Sequence, residues 1–227
     1  MKENKNKRKI IILILVILVC LPLLIYLFIK INTYKITVKK ETINYCLSRF
    51  KCYPLEKNYY KFYANKNIEE VDKKLDEYNK IIEDSKEKSK NSNFDSAKCL
   101  PYKSTYRYST GYNYDYKLYT SSNYISLTLY KYTINYCTEN MEATEDIYKF
   151  IYSIKDKKFL TNQDIIKKIN MSSKDILEFI HSKSTEISDT KNVNSYDFII
   201  NNDGNIYVSY LDKDGTEMEL DLNKKID

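Results

Sequence analysis

Tryptophan is absent from this 227-residue chain, histidine occurs once, and glycine and proline three times each. Each scarcity excludes a chemistry. With Gly111, Gly204 and Gly215 as the only glycines, neither a Walker loop nor a dinucleotide-binding glycine pattern can be written. One histidine, His181, and no Cys-x-x-Cys pair leave no set of zinc ligands at the usual spacing. His181 falls near the end of a helical pattern, where a cation complementing the helix C-terminus is the ordinary role. No Ser or Cys motif beside it makes a nucleophile and base. Asp212-Lys213-Asp214-Gly215 has a calcium-loop flavour, but Tyr210 stands where the first acidic ligand belongs, so it reads as a turn. No metal and no cofactor is expected.

Excess charge is also scarce once the N-terminus is set apart. Lys2, Lys5, Lys7, Arg8 and Lys9 against Glu3 supply four of the six net positive charges. The remainder holds 32 basic and 30 acidic residues, without the basic excess of a nucleic-acid binder.

Residues Ile10 to Ile29 form one apolar run, long enough to cross a bilayer core as a helix. Pro22 does not oppose this, since membrane helices tolerate proline. A cleaved signal peptide is the alternative, opposed by the length of the run and by the lack of a small-x-small cleavage site after it. Cys20 is not a lipoprotein site, because Leu18 and Val19 stand where small residues are required. The basic cluster before the run predicts an N-terminus in the cytoplasm and everything beyond Lys30 outside. The expected organisation is a cytoplasmic tail over 1–9, a transmembrane helix over 10–29 and an extracytoplasmic domain over 34–222. Cys46, Cys52, Cys99 and Cys137 then occupy an oxidising compartment. Four cysteines allow three pairings; Cys46 with Cys52 across a short turn, and Cys99 with Cys137 at the open end of a hairpin, is the favoured one. Free thiols are the alternative.

What the chain has in abundance is tyrosine, 24 in all. From Tyr102 to Tyr116 tyrosines recur at even positions, the period of a strand. After the turn-like Thr120-Ser121-Ser122-Asn123, Ile125, Leu127 and Leu129 alternate with Tyr124, Tyr130 and Tyr132. A third run places Tyr148, Phe150 and Tyr152 on one face. Earlier, Tyr34, Ile36 and Val38 read as an edge strand, with a second around Tyr59 to Tyr63. Ile68, Val71, Leu75, Tyr78 and Ile82 change to helical spacing, and the charged run Asp84 to Lys90 reads as a solvated helix end and loop. Thr161-Asn162-Gln163-Asp164 and Ser172-Ser173-Lys174-Asp175 mark two helix starts. The chain closes with strands around turns at Asp203-Gly204 and Asp214-Gly215. The order predicts an α+β domain, an antiparallel sheet with packed helices, preceded by the transmembrane helix.

The run Tyr124-Ile-Ser-Leu-Thr-Leu-Tyr-Lys-Tyr132, the stretch Ile147 to Ile166 with its Phe159-Leu160-Thr161-Asn162-Gln163-Asp164 helix entry, Tyr53-Pro54 before the Ile68 helix, and the closing Phe198 to Leu222 region together resemble the extracytoplasmic domain shared by RsiV-type anti-sigma factors and PdaC-type peptidoglycan deacetylases. The resemblance covers about residues 34–222. The family's glycine-alanine-histidine-glycine turn is replaced by Tyr136-Cys-Thr-Glu-Asn-Met-Glu-Ala143. Nine residues before the apolar run are too few to hold a sigma factor, and there is no room for a deacetylase domain. The resemblance therefore implies the sensing or binding domain without either output.

Two readings of the tyrosines stand side by side. They are core residues of a sheet rich in aromatics, or Tyr124, Tyr130 and Tyr132 form an open row that binds envelope glycan or a wall-degrading enzyme such as lysozyme. The expected function is a membrane-anchored, non-catalytic binding or sensing module of the bacterial envelope. An enzyme with an unrecognised carboxylate site, or a structural component of a membrane complex, is the alternative.

Overall fold

The computed structural model describes residues 18–24, 34–46, 54–91, 110–137, 142–184, 196–211 and 217–226. The chain divides into two units, residues 1–34 and 35–227. In the first, residues 18–24 are helical with exposed leucines, and the rest of the expected Ile10–Ile29 span lies outside the described residues. No helix among the described residues is long and apolar enough to cross a membrane. That finding overturns the expected transmembrane helix, and with it the single-pass placement that hung on it.

The second unit also corrects the expected single sheet: its strands form three antiparallel sheets. The first pairs β1 (Ile36–Cys46) with β2 (Pro54–Ala64). Helix α1 (Glu69–Asn91) follows. The central sheet has the order β3 (Thr110–Thr120), β4 (Tyr124–Asn135), β5 (Ala143–Ser153), β6 (Lys158–Phe159). Helices α2 (Asn162–Ile169) and α3 (Ser173–Ser184) lead to the third sheet, β7 (Asp197–Ile200), β8 (Asn205–Leu211), β9 (Glu217–Lys225). The Tyr102–Tyr108 run and the Asp214-Gly215 turn lie outside the described residues.

Helix α1 is longer than its apolar pattern suggests. The inward stripe Val71, Leu75, Tyr78 and Ile82 continues as Ser85 and Ser89, both buried, so the predicted loop is helix. Lys and Glu are good helix formers on the outer face, and two small serines hold the inner face against the sheet.

Alternation in the central sheet sorts its side chains by register. Leu129 opposes Tyr116 and Tyr148, and Leu127 opposes Leu118 and Phe150, so these share one face. It packs on α1: the Tyr78 ring is 6.0 Å from Tyr148 and 5.8 Å from Phe150, and the Tyr114 hydroxyl donates to the Ile81 carbonyl at 3.3 Å. The other face carries Tyr124, Ser126, Thr128, Tyr130 and Tyr132. It is covered too, because the third sheet folds back over it. Phe198, Ile200, Ile206 and Val208 of the third sheet join Tyr124 and Ile151 of the central sheet and Ile165, Ile166, Ile169, Ile176 and Ile180 of the two short helices in one core.

Two local devices position the third sheet. Thr161 and Asp164 form a reciprocal capping box at the start of α2, and Asn170 ends it in the left-handed region. Gly204 turns the β7–β8 hairpin at φ 79°, where a Cβ would meet the Ile226 carbonyl oxygen at 2.9 Å. The neighbouring Asn202 accepts a hydrogen bond from the Thr120 amide at 2.8 Å, tying that turn to the end of β3.

Candidate functional site

Register brings Lys117 of β3, Thr128 of β4 and Lys149 of β5 side by side on the covered face of the central sheet. Register in the third sheet likewise aligns Asp197, Ser209 and Glu219. The two rows meet. Lys117 pairs with Glu219 at 2.5 Å. Lys149 donates to Ser209 Oγ at 2.7 Å, lies 3.8 Å from Asp197, and pairs with Glu217. The Ser209 hydroxyl donates to Glu217 in turn. Each strand presented these residues in sequence as ordinary polar partners of an apolar face; only the stacking of two sheets makes them a layer.

Burial pushes the Glu217 carboxyl up, but the Lys149 and Ser209 donors, with the Tyr130 phenol close by, outweigh burial and hold it below its ordinary range. The contacts within the cluster are charge pairs and hydrogen bonds.

Beside this layer lies a cleft of about 350 Å³ between β5 and the third sheet. Glu145, Ile147, Lys149, Asp197, Leu211 and Glu217 line it, together with Tyr196 and Tyr210. Charged and polar groups converge there beside the apolar Ile147 and Leu211.

The expected open tyrosine row is corrected. Tyr124 is 4% and Tyr130 5% exposed, since the third sheet and α2 cover the face that alternation alone left free. Tyr124 belongs to the helix-lined core. Tyr130 is buried beside Glu217, and burial first, then that carboxylate, pushes its phenol far above the ordinary value. The Lys117 ammonium sits 5.3 Å from its ring centroid. Tyr132 is half-buried and stands opposite Glu145 in register; burial and Glu145 raise it to about 12. Two of the three tyrosines therefore lie beside cleft carboxylates.

Of the cysteines, Cys137 is disulfide-bonded, while the side chains of Cys46, Cys52 and Cys99 lie outside the described residues, and so does the pairing. His181 stands in the last turn of α3. Among the described residues no group of three or more His, Cys, Asp or Glu is placed to hold a metal ion.

A second buried charge sits apart from the cleft. Lys57 of β2 is 1% exposed, donates to Ser89 of α1 at 3.3 Å, and lies 5.5 Å from the Tyr136 ring centroid. Gly111 makes the room: a Cβ there would come within 2.2 Å of Lys57 Nζ and 2.8 Å of Tyr136. Burial lowers the ammonium to about 8. The unfolded chain then binds more protons than the folded one between pH 8 and about 10.4, so this residue makes stability rise with pH across that window. The buried tyrosines act oppositely above about pH 10. Denaturant titrations at pH 7.5 and 9.5 are expected to show a gain of about 2 kcal/mol in the wild type that is missing in Lys57→Met. Equal pH profiles for the two proteins would disprove a buried ammonium at this position.

The chain matches no protein-family model, and no curated protein shows significant similarity to it.

Proposed function

We propose that this chain is a non-catalytic binding module that takes its ligand in the cleft between β5 and the third sheet. The observation that carries the reading is the cleft itself, in which the exposed Leu211 and the aliphatic Ile147 adjoin the Lys149–Glu217 pair and two further carboxylates. The resemblance to an envelope-sensing domain supports an envelope ligand, either cell-wall glycan or a wall-degrading enzyme. The Ser209 hydroxyl is held between an ammonium and a carboxylate, which suits orientation of a ligand better than attack on one.

The full chain tests this with purified cell-wall glycan and with lysozyme, binding being followed by sedimentation and by interferometry. Leu211→Arg fills the mouth of the cleft with a charged side chain at an exposed position, so its melting temperature should stay close to that of the wild type. Affinity for whichever probe binds should fall about tenfold or more, the loss of one well-placed contact region. Binding that persists undiminished in Leu211→Arg would place the ligand elsewhere, and absence of binding by both probes would remove the reading.

A further inference from the structure

We infer that the occupant of the cleft is a lysine side chain of a protein partner, its stem against Leu211 and Ile147 and its ammonium at the Glu145 and Asp197 carboxylates. This rests on the binding reading above and names the class of ligand.

Charge is the first argument. The cleft is lined by three carboxylates, Glu145, Asp197 and Glu217, against one ammonium, Lys149. Glu217 is committed to Lys149 and Ser209, which leaves the negative excess on the other two. A carboxylate offers about four acceptor positions. Glu145 has the Tyr132 side chain opposite it in register, and Asp197 has the Lys149 ammonium at 3.8 Å and the Asn162 amide at 3.5 Å. Both have capacity for a further donor, and both residues are exposed.

Shape is the second. Leu211 is 51% exposed, one of the few large apolar residues open to water among the described residues of this unit. Apolar surface next to acidic groups matches a side chain with an aliphatic stem and a cationic tip. A sugar would want a flat ring to stack on. Tyr210 is buried, and the Tyr196 ring already meets Phe198 edge-on at 5.5 Å, so the cleft tyrosines favour the lysine. The coordination of Lys149 shows the same wall accepting an ammonium through single contacts to a carboxylate and a hydroxyl. No fork of paired acceptors, the preference of arginine, is needed.

The full chain is titrated calorimetrically at low ionic strength with a glycine-spaced lysine peptide, the same peptide Nε-acetylated, its arginine counterpart, and a chito-oligosaccharide. The lysine peptide is expected to bind about tenfold or more tightly than its acetylated form, since acetylation removes the charge and keeps the stem. Asp197→Asn and Glu145→Gln should each weaken it about threefold or more, and Leu211→Arg should abolish it, while Glu178→Gln on α3 leaves it unchanged. Equal binding of the acetylated peptide, tighter binding of the arginine peptide, or an equal loss in Glu178→Gln overturns the assignment. Chito-oligosaccharide binding that Leu211→Arg abolishes, with no lysine-peptide binding, overturns the lysine but leaves the binding cleft standing. If no probe binds, both fall.

Discussion

Lys149→Ala is expected to destabilise the fold by about 3–5 kcal/mol, because it strands a buried carboxylate without its partner. The Glu217 side chain is only 8% and that of Lys149 15% exposed, so water from the adjoining cleft replaces the lost ammonium only in part. The triple variant Lys149→Met, Glu217→Leu, Ser209→Ala removes the charges together with the hydroxyl between them. It is expected to recover most of that loss, since a buried pair exchanged for apolar groups of similar volume is often near neutral. The contrast separates the cost of an orphaned charge from the net worth of the pair. Chemical denaturation of the two variants decides it, and a loss under about 1 kcal/mol in Lys149→Ala would mean that the layer is open to solvent. The acid side carries a sign as well. Glu217 is held below its ordinary value, so its contribution is fully present above the unfolded carboxyl pKa of about 4.3 and is lost as pH falls through the lowered one. The triple variant should lack that acid-side dependence.

The tyrosines of β4 should separate just as clearly. Tyr124→Ala is expected to cost about 3–5 kcal/mol, the range for a buried aromatic truncated in a core that relaxes only in part. Tyr124 belongs to the core that also holds Ile165, Ile169 and Ile176 of the two short helices. Tyr132→Ala should cost only about 1 kcal/mol, since the ring is only half-buried. Its larger effect is expected on ligand affinity, because the side chain that stands opposite Glu145 is gone. Thermal and denaturant unfolding of the two variants checks the first claim, and the lysine-peptide titration the second. Comparable stability losses in both would return all three tyrosines to the core.

Much of the local structure follows from short-range physics. Period two over Tyr124 to Tyr132 made a strand because successive side chains must point to opposite faces. Thr161 with Asp164, and Ser172 with Asp175, made helix starts because each pair satisfies orphan amides within one turn: Thr161 N to Asp164 at 2.9 Å, and Asp175 N to Ser172 at 3.1 Å. Ser85 and Ser89 show where such reading stops. Their spacing continues the apolar stripe of α1, yet serine carries no hydrophobic signal, and only the Lys57 amine opposite Ser89 explains why a small polar residue belongs there.

Which face of a strand is free is a different kind of question. Alternation divides Tyr124, Tyr130 and Tyr132 from Ile125, Leu127 and Leu129, but it is silent on what covers either set. Helix α1 took the aliphatic face as its own pattern required. The covering of the tyrosine face was decided about 65 to 90 residues later in the chain, by strands whose Asp197, Ser209, Glu217 and Glu219 complement Lys117 and Lys149. The amino-acid sequence by itself thus determined the strands, the helix caps and the two-sidedness of the central sheet, all set by neighbours within a few residues. The closed tyrosine face, the charged layer and the cleft beside it were decided only by the docking of one sheet on another, because complementarity between distant surfaces has no period that a single strand can display.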